Sequence, residues 1–249
     1  EGPEVATRST ALSAGWAWHI PLTNRSGNGY VYSSRHITAE AAEAELRAHI
    51  GVGDEVQARH LKMRVGRIER SWVKNCLAVG LAQGFIEPLE ATALHIVMAT
   101  VEGFLDRVEA QGMTDNARDA YNAAIAWRYE GIRDYIVCHY RAAQRRDTDY
   151  WREATGHDEL SDSLKAIFTS WFTGGDLVEE VARQGIEACY SAISWHCLLA
   201  GYGNFPDSAK LVAPGPDTRV SDMASIDAFV AGCASNYPSH QAALASLAD

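Results

Sequence analysis

The stretch ARDAYNAAIAWRYEGIRDYIVCHYRAAQ, residues 117–144, decides the fold. Its apolar residues recur three and four positions apart and no proline interrupts it, so it predicts the longest helix of the chain. Helical patterns surround it from Asn75 onward. Further helices are predicted at 76–85, 87–112, 161–173, 177–186, 190–201 and 222–234, with a loop rich in glycine and proline at 201–216.

The N-terminal part of the chain has strand-like patterns instead. GWAWHIPL (15–22) and GNGYVYSS (27–34) alternate as strands do and predict a hairpin. Residues 38–50 predict a helix that Thr38 caps and Gly51 ends, and residues 59–72 predict a strand that returns to the sheet. The predicted class is α+β: a small antiparallel sheet portion within residues 1–74 leads into a mainly helical body within residues 75–249.

Composition excludes several classes of function. The chain has 249 residues, 47% of them hydrophobic, and a net charge of −10, which argues against nucleic-acid binding because that affinity comes from clustered Lys and Arg. Five dispersed cysteines without a C-x-x-C pair predict free, buried thiols in a reducing compartment. No long uncharged apolar stretch or signal peptide is visible, so a cytoplasmic location and no membrane contact are expected.

Nine histidines occur without an H-E-x-x-H or a paired spacing with carboxylates. The sequence therefore predicts no metal site.

The sequence Glu87-Pro88-Leu89-Glu90 opens the predicted helix 87–112 and allows two interpretations. Proline suits the first turn of a helix and acidic side chains are favoured there, so the two glutamates can simply start the helix. Alternatively, the backbone amides of residues 91–93 lack intrahelical partners and hold a small anion. Glu90 then stands beside that anion, where it can orient a polarised reagent or take a proton.

Several blocks in register favour the second interpretation. Trp16, Trp18, Ile20 and Pro21 form W-x-W-x-I-P, and NCLAVGLAQGFIEPLEATALHIV (75–97) follows. CHYRAAQRRDTDYW (138–151) and WHCLLAGYG (195–203) come after it. In this order the blocks resemble the flavin-dependent halogenases of the tryptophan halogenase family, over almost the whole chain.

The resemblance implies halogenation, either chlorination or bromination, of an electron-rich aromatic ring. In the family, reduced FAD, oxygen and a halide ion give hypohalous acid, which travels through a tunnel to the ring. A separate flavin reductase supplies the reduced FAD. By the resemblance, residues 1–74 complete a flavin-monooxygenase-like domain and residues 75–249 form a substrate-binding region.

The same resemblance assigns the site residues. Glu90 matches the catalytic glutamate, Thr92 and Ala93 the halide-binding amides, Leu81 and Leu94 the flavin contacts, and Trp16 and Trp18 the pair between flavin and substrate. The substrate-binding positions fall at His139, Tyr140, Arg146, Tyr150 and Trp151.

Three of these positions depart from the tryptophan-specific pattern. Ala93 stands for a glycine but keeps its amide donor. His139 stands for a tyrosine and Arg146 for an acidic residue, which weakens the grip on a free amino acid and favours an indole, phenol or pyrrole-like ring over free tryptophan. Trp151 can stack on such a ring. Packing of Tyr150 and Trp151 as an aromatic helix face in the core is the alternative.

The FAD-binding, Rossmann-like region of the family is not visible. GVGDEV (51–56) and GYGNFP (201–206) lack the third glycine of G-x-G-x-x-G, and the first follows a predicted helix. No lysine lies in a block that matches the family's catalytic lysine. The chain begins with Glu1 rather than methionine. It therefore resembles the C-terminal half of a halogenase, expected to be inactive alone and to need an N-terminal half in cis or as a partner chain.

A second class of function stays open. The chain can be a helical module that binds an aromatic ligand or a protein without catalysis, with Glu90 as a helix-start residue and Trp151 as the ligand platform. If a separate chain supplies the flavin half, we expect an exposed apolar face on this chain where the sheet would otherwise be completed.

Overall fold

Three antiparallel strands open the chain in the computed structural model, which describes residues 4–211 and 223–247. The strands are β1 (Arg8–Leu12), β2 (Gly15–Pro21) and β3 (Ser26–Tyr32), in the order β1-β2-β3. The predicted hairpin is β2 with β3, whereas β1 was not predicted. At Gly15, a Cβ would lie 2.1 Å from the Val31 carbonyl oxygen, so the tight approach of β2 to β3 requires glycine there.

Helix α1 (Ala39–Ile50) lies on this sheet and matches its prediction at both ends. The Thr38 hydroxyl accepts from the Ala41 amide, and Gly51 ends the helix at φ +70°. The Glu45 carboxylate fastens α1 to the strands: it accepts hydrogen bonds from the Ser13 amide at 2.9 Å, the Ser13 hydroxyl at 2.7 Å and the Tyr30 hydroxyl at 3.0 Å.

The predicted strand at 59–72 is wrong for most of its length. Only β4 (Gly66–Arg67) and the first residue of β5 (Trp72–Val73) are extended there, and neither joins the first sheet. The alternating residues Leu61, Met63 and Val65 are 61%, 45% and 73% exposed. Alternation predicts a strand only where one face becomes buried, and residues 59–65 have no partner strand among the described residues.

The predicted helix at 76–85 is also wrong. The chain forms β6 (Cys76–Leu77), a single 3-10 turn at Gly80–Ala82 and β7 (Gly84–Phe85). β6 pairs with β5 and β7 pairs with β4. Gly80 has φ +61°, a conformation that interrupts a right-handed helix and that glycine adopts without strain.

The helical body begins later than predicted. A 3-10 turn at Pro88–Glu90 precedes α2 (Ala93–Gln111), so the predicted helix 87–112 is divided. α3 (Asp115–Ala142) is the longest element, as predicted, with Thr114 as its N-cap in place of a start at residue 117. α4 (Asp149–Gly156) was not predicted. The predicted α5, α6 and α7 are confirmed at Asp162–Thr173, Leu177–Gln184 and Ala192–Gly201.

Two apolar cores lie along α3. The first surrounds Trp72, whose ring meets Phe104 at 4.8 Å and Tyr121 at 5.7 Å edge to face. The second is built from the last turns of α3 with α5, α6 and α7. Its fully buried side chains include Leu164, Ile167, Val181 and Leu199. The result is a mostly helical protein with small antiparallel sheets, as the α+β prediction requires.

The last two helices are α8 (Met223–Ala234), whose side chains are all exposed, and α9 (His240–Ser246), in which only Ala243 and Leu244 are half-buried. In α8, Phe229 is 71% exposed and Val230 57%. α8 accounts for the helix predicted at 222–234, of which residue 222 lies outside the described residues. So do residues 212–216 of the predicted loop. No helix in the described ranges combines the length and apolarity needed to cross a membrane.

All five cysteines are free thiols, as predicted, but the prediction that they are buried is wrong for three of them. Cys76, Cys197 and Cys233 are exposed, and only Cys138 on α3 is fully buried. Burial raises the pKa of the Cys138 thiol to about 12. The helical pattern around these residues indicated helices correctly in most cases but could not tell which face points inward.

Candidate active site

The segment Glu87-Pro88-Leu89-Glu90 forms a clamped turn rather than the first turn of α2. Pro88 starts the 3-10 turn, and the Ala91 amide closes it by donating to the Pro88 carbonyl oxygen at 3.0 Å. Ala91 itself is left-handed, with φ +53° and ψ +27°. This corrects one expectation, because the Ala91 amide is not free. The amides of Thr92 and Ala93 have no acceptor among the described residues, which agrees with the expectation for those two positions.

Glu90, at the end of this turn, faces His139 in the last turn of α3. The distance from Glu90 Oε1 to His139 Nε2 is 2.6 Å, and the side chains are 34% and 14% exposed. The carboxylate lies off the line of the ring N–H, so the contact is close but is not a well-formed hydrogen bond, and it becomes an ion pair only when the ring is protonated. Burial lowers the pKa of His139, and the neighbouring carboxylate opposes that shift.

Glu87, at the start of the turn, faces Tyr140, the next residue of α3. The Tyr140 hydroxyl donates to Glu87 Oε1 and accepts from the Tyr150 hydroxyl at 3.1 Å. Burial raises the pKa of Glu87, and the hydrogen bond from Tyr140 opposes it. Burial also raises the pKa of Tyr150 to about 12. The sequence analysis named no partner for Glu87. Its position three residues before Glu90, on either side of Pro88-Leu89, was the feature that could have indicated that both carboxylates belong to one turn.

Aromatic side chains that sequence reasoning did not single out surround His139. Tyr135 stacks on Tyr190 with ring centroids 3.6 Å apart and meets the His139 ring edge to face at 5.3 Å. The Tyr202 hydroxyl lies 3.4 Å from His139 Nδ1. Burial first, and the Glu90 charge second, raise the pKa of both Tyr135 and Tyr190. Glu90 therefore acts in a region of low polarity, where its charge has strong effects.

Trp16 and Trp18 project from the same face of β2, as alternation requires. Trp16 meets Trp151 edge to face at 5.5 Å, and its indole N–H is buried without an acceptor among the described residues. Trp18 lines a cavity of about 580 Å³ between β3, α1 and residues 56–63. The two tryptophans thus border different spaces.

Tyr150 and Trp151 lie at the start of α4, next to the turn. Trp151 is 1% exposed, and its indole N–H donates to the Leu12 carbonyl oxygen at 2.8 Å. The Arg145 guanidinium lies over its ring at 5.1 Å. This burial agrees with the packing alternative for Trp151. Stacking of Trp151 on a substrate ring stays a prediction.

Arg146 lies apart from the two glutamates, on the turn between α3 and α4. Its guanidinium donates to the carbonyl oxygens of Ala143 at 3.0 Å and Arg145 at 2.9 Å. It lines a separate cavity of about 430 Å³ together with Arg141 and Phe168. The structure therefore does not bring Arg146 together with Glu90.

Leu81 and Leu94, the predicted flavin contacts, are 80% and 77% exposed. Such open apolar side chains fit contact with a flat ring. GVGDEV follows α1 and GYGNFP follows α7, so neither forms the turn between a strand and a helix that holds a pyrophosphate. Neither stretch thus provides a site for the phosphates of FAD, and contact of the two leucines with a flavin stays a prediction. The part of the chain that the structure covers also contains no group of three or more metal-ligating side chains.

Comparison with known proteins decides the family. The family model described as "Tryptophan halogenase" matches residues 1–217. The chain belongs to the tryptophan halogenase family. A curated member, 7-chloro-L-tryptophan 6-halogenase KtzR of Kutzneria sp. (strain 744), is 36% identical over 97% of this chain and 47% of its own length. Tryptophan 6-halogenase SttH of Streptomyces toxytricini is 40% identical over 66% of this chain and 32% of its own length.

Solved structures of halogenases share the fold of this family member. BrvH, a flavin-dependent halogenase from Brevundimonas sp. BAL3, matches with a TM-score of 0.81 and 33% identity, over 99% of this chain and 49% of its own. A tryptophan halogenase (Th-Hal) described as thermophilic matches with a TM-score of 0.73 and 35% identity, over 88% of this chain and 42% of its own. The chain spans about half the length of these relatives or less.

Proposed function

We propose that this chain forms the substrate-binding half of a flavin-dependent halogenase that places chlorine or bromine on an electron-rich aromatic ring. The proposal rests on the position of Glu90. Its carboxylate lies at the end of the 87–90 turn, near the rings of Tyr135 and Tyr190 and beside the two backbone amides at the start of α2. Membership of the family supports the reaction class. His139 and Arg146 stand where tryptophan-specific members have a tyrosine and an acidic residue, and this difference favours an indole, phenol or pyrrole-like ring over free tryptophan.

Each predicted residue has a proposed role. When bound, reduced FAD supplies, with oxygen and halide, the electrophilic halogen. The Thr92 and Ala93 amides donate to the halide ion, and Leu81 and Leu94 contact the flavin ring. Glu90 Oε1 faces His139, so Oε2 is the oxygen that orients the halogenating reagent or accepts the proton that the ring carbon loses as the carbon–halogen bond forms.

The remaining predicted residues surround the substrate. We place Trp16 and Trp18 between flavin and ring, and His139, Tyr140, Tyr150 and Trp151 around the ring. Arg146 contributes only if the substrate extends toward the cavity that it lines.

The rest of the enzyme follows from the same proposal. Residues 1–74 complete the flavin-binding domain and residues 75–249 bind substrate. The FAD-binding half is supplied in cis or by a partner chain, and a flavin reductase supplies reduced FAD. A cytoplasmic location stays a prediction.

An assay of the chain joined to a flavin-binding half tests the function. The reaction contains FAD, a flavin reductase with NADH, bromide or chloride, and indole, a phenol, a pyrrole or tryptophan in turn. We expect a product with the isotope pattern of one halogen. E90Q should lower kcat by about 100-fold or more, because a general base contributes that much, and should keep ring binding.

Two outcomes contradict the proposal. The first is that no ring gives a halogenated product, as expected of a non-catalytic module, and the second is that E90Q halogenates as fast as the wild type. E102Q, which removes an exposed glutamate from α2, controls for the loss of charge and should keep full activity.

A further inference from the structure

Two neighbouring residues of α3 hold both glutamates of one short turn. His139 faces Glu90 and Tyr140 faces Glu87, and the glutamates are the residues that flank Pro88 and Leu89. The turn itself has only one internal hydrogen bond, from the Ala91 amide. It ends in a left-handed alanine, a conformation that costs free energy in a residue with a Cβ. Contacts from outside the turn must therefore stabilise it.

The Tyr140 contact is the better anchored of the two. Its hydroxyl lies between the Glu87 carboxyl group and the Tyr150 hydroxyl, so both ends of the phenol oxygen are satisfied. The Tyr140 ring also packs on Trp151 with centroids 6.0 Å apart. Tyr150 and Trp151 belong to α4, so three elements meet at this hydroxyl. Breaking the bond leaves a buried polar group without its partner.

We infer that His139 and Tyr140 are positioning residues: together they clamp the 87–90 turn and so fix the Glu90 carboxylate in the site. The consequence concerns specificity. The Tyr140 hydroxyl is engaged by Glu87, and the Glu90 carboxylate lies 2.6 Å from His139 Nε2, so the carboxylate of an amino-acid substrate would meet a glutamate at either side chain. The site then selects a ring that carries no such group.

The inference rests on the proposed function only for the importance of Glu90, and its test does not need halogenation. The test follows the titration of the His139 ring by NMR in the 249-residue chain, with 13C-labelled histidine assigned through H139N. The groups that face this ring are Glu90 from the turn, Tyr135 from α3 and Tyr202 after α7. Carboxylic acids as a class titrate below histidine and phenols above it, so the ring reports where the one carboxylate among these groups lies.

The E90Q variant defines the shift in the pKa of His139 that results when the Glu90 charge is lost. It removes an opposite charge 2.6 Å from the ring, and we expect the pKa of His139 to fall by about 1 or more. If the clamp acts through Glu87, Y140F should move the pKa of His139 most of the way to the E90Q value, although it leaves Glu90 in the chain. E87L breaks the same bond from the other side and should act alike, which keeps the test valid if one variant fails to fold.

Y121F is the matched control. It removes the hydroxyl of another buried tyrosine of α3, which donates to the Thr100 carbonyl oxygen at 2.9 Å in the first core. It should leave the His139 titration as in the wild type. The inference is overturned if folded Y140F and E87L titrate like the wild type, if Y121F shifts the pKa as much as they do, or if E90Q causes no shift.

Discussion

At the scale of single residues, Glu87 links the stability of the fold to pH. Burial raises its pKa, and the Tyr140 hydrogen bond only partly opposes this. The folded protein therefore keeps a proton that the unfolded chain releases near the ordinary glutamate pKa. The stability from this group is present below that pKa and is lost as pH rises through the raised pKa. E87Q should remove this part of the pH dependence.

Urea denaturation at a series of pH values between about 4 and about 7 measures it, because glutamates titrate at the lower end of this window. We expect the free energy of unfolding of E87Q to change less across the window than that of the wild type. E159Q, which removes an exposed carboxylate, controls for net charge. Parallel curves for wild type and E87Q would contradict a buried, protonated Glu87.

The sequence could indicate Glu90 but not its partner. The resemblance to the family predicted a catalytic glutamate just before α2, and in the structure Glu90 lies near the rings of Tyr135 and Tyr190. His139 lies 49 positions further along the chain, and no periodicity relates the two residues. A contact of this kind follows from how α3 crosses the turn, which is a property of tertiary packing.

At the scale of elements, Ser161 is more than the N-cap of α5. Its hydroxyl accepts from the Leu164 amide at 3.0 Å and donates to the buried Asp134 carboxylate of α3 at 2.6 Å. S161A should therefore cost a cap, about 1 kcal/mol, and also a hydrogen bond to a charged group, about 1.5–3 kcal/mol. T38A removes a cap alone from α1 and should cost only the first amount. Equal losses in urea denaturation would show that the Asp134 bond adds nothing.

Helices were predicted better than strands for a physical reason. α3, α5, α6 and α7 carry their signals locally, in apolar spacing and in caps such as Ser161. Residues 59–65 alternate like a strand but have no partner strand among the described residues, and pairing cannot be inferred from one segment alone. α4 was missed even though the Thr148 hydroxyl caps it.

At the scale of the whole molecule, one face of α2 stays uncovered. Apolar side chains recur on it with helical spacing and are exposed: Leu94 by 77%, Met98 by 60%, Val101 by 39% and Leu105 by 58%. Together with Leu81, which is 80% exposed, they form an apolar stripe. A split enzyme predicts an exposed apolar face where the sheet would be completed, whereas this face lies on α2. The chain spans about half the length of its relatives. The α+β class was predictable from composition and pattern, whereas the position of this face was not, because it depends on which side of α2 meets α3.

The apolar stripe can be tested by its energetics. L105Q should change the free energy of unfolding by no more than about 0.5 kcal/mol, as surface substitutions do, and should reduce the binding of the dye ANS. L164A, at a side chain with 0% exposure, should cost about 2–5 kcal/mol. A loss of stability in L105Q near that of L164A would mean that this chain covers the stripe itself.

The unbroken course of α3 has a consequence for how this chain can change. Tyr121, near the start of α3, packs in the first core, whereas His139 and Tyr140, near the end of the same helix, contact the 87–90 turn. Each residue of a helix turns it by about 100°. A single insertion near Ala124 would rotate the far end relative to the near end and carry both side chains off the glutamates, while leaving composition and apolar content unaltered. We therefore expect insertions and deletions to be tolerated in the connections around α3 and not within it, because the rotation of this helix sets where His139 and Tyr140 meet the two glutamates.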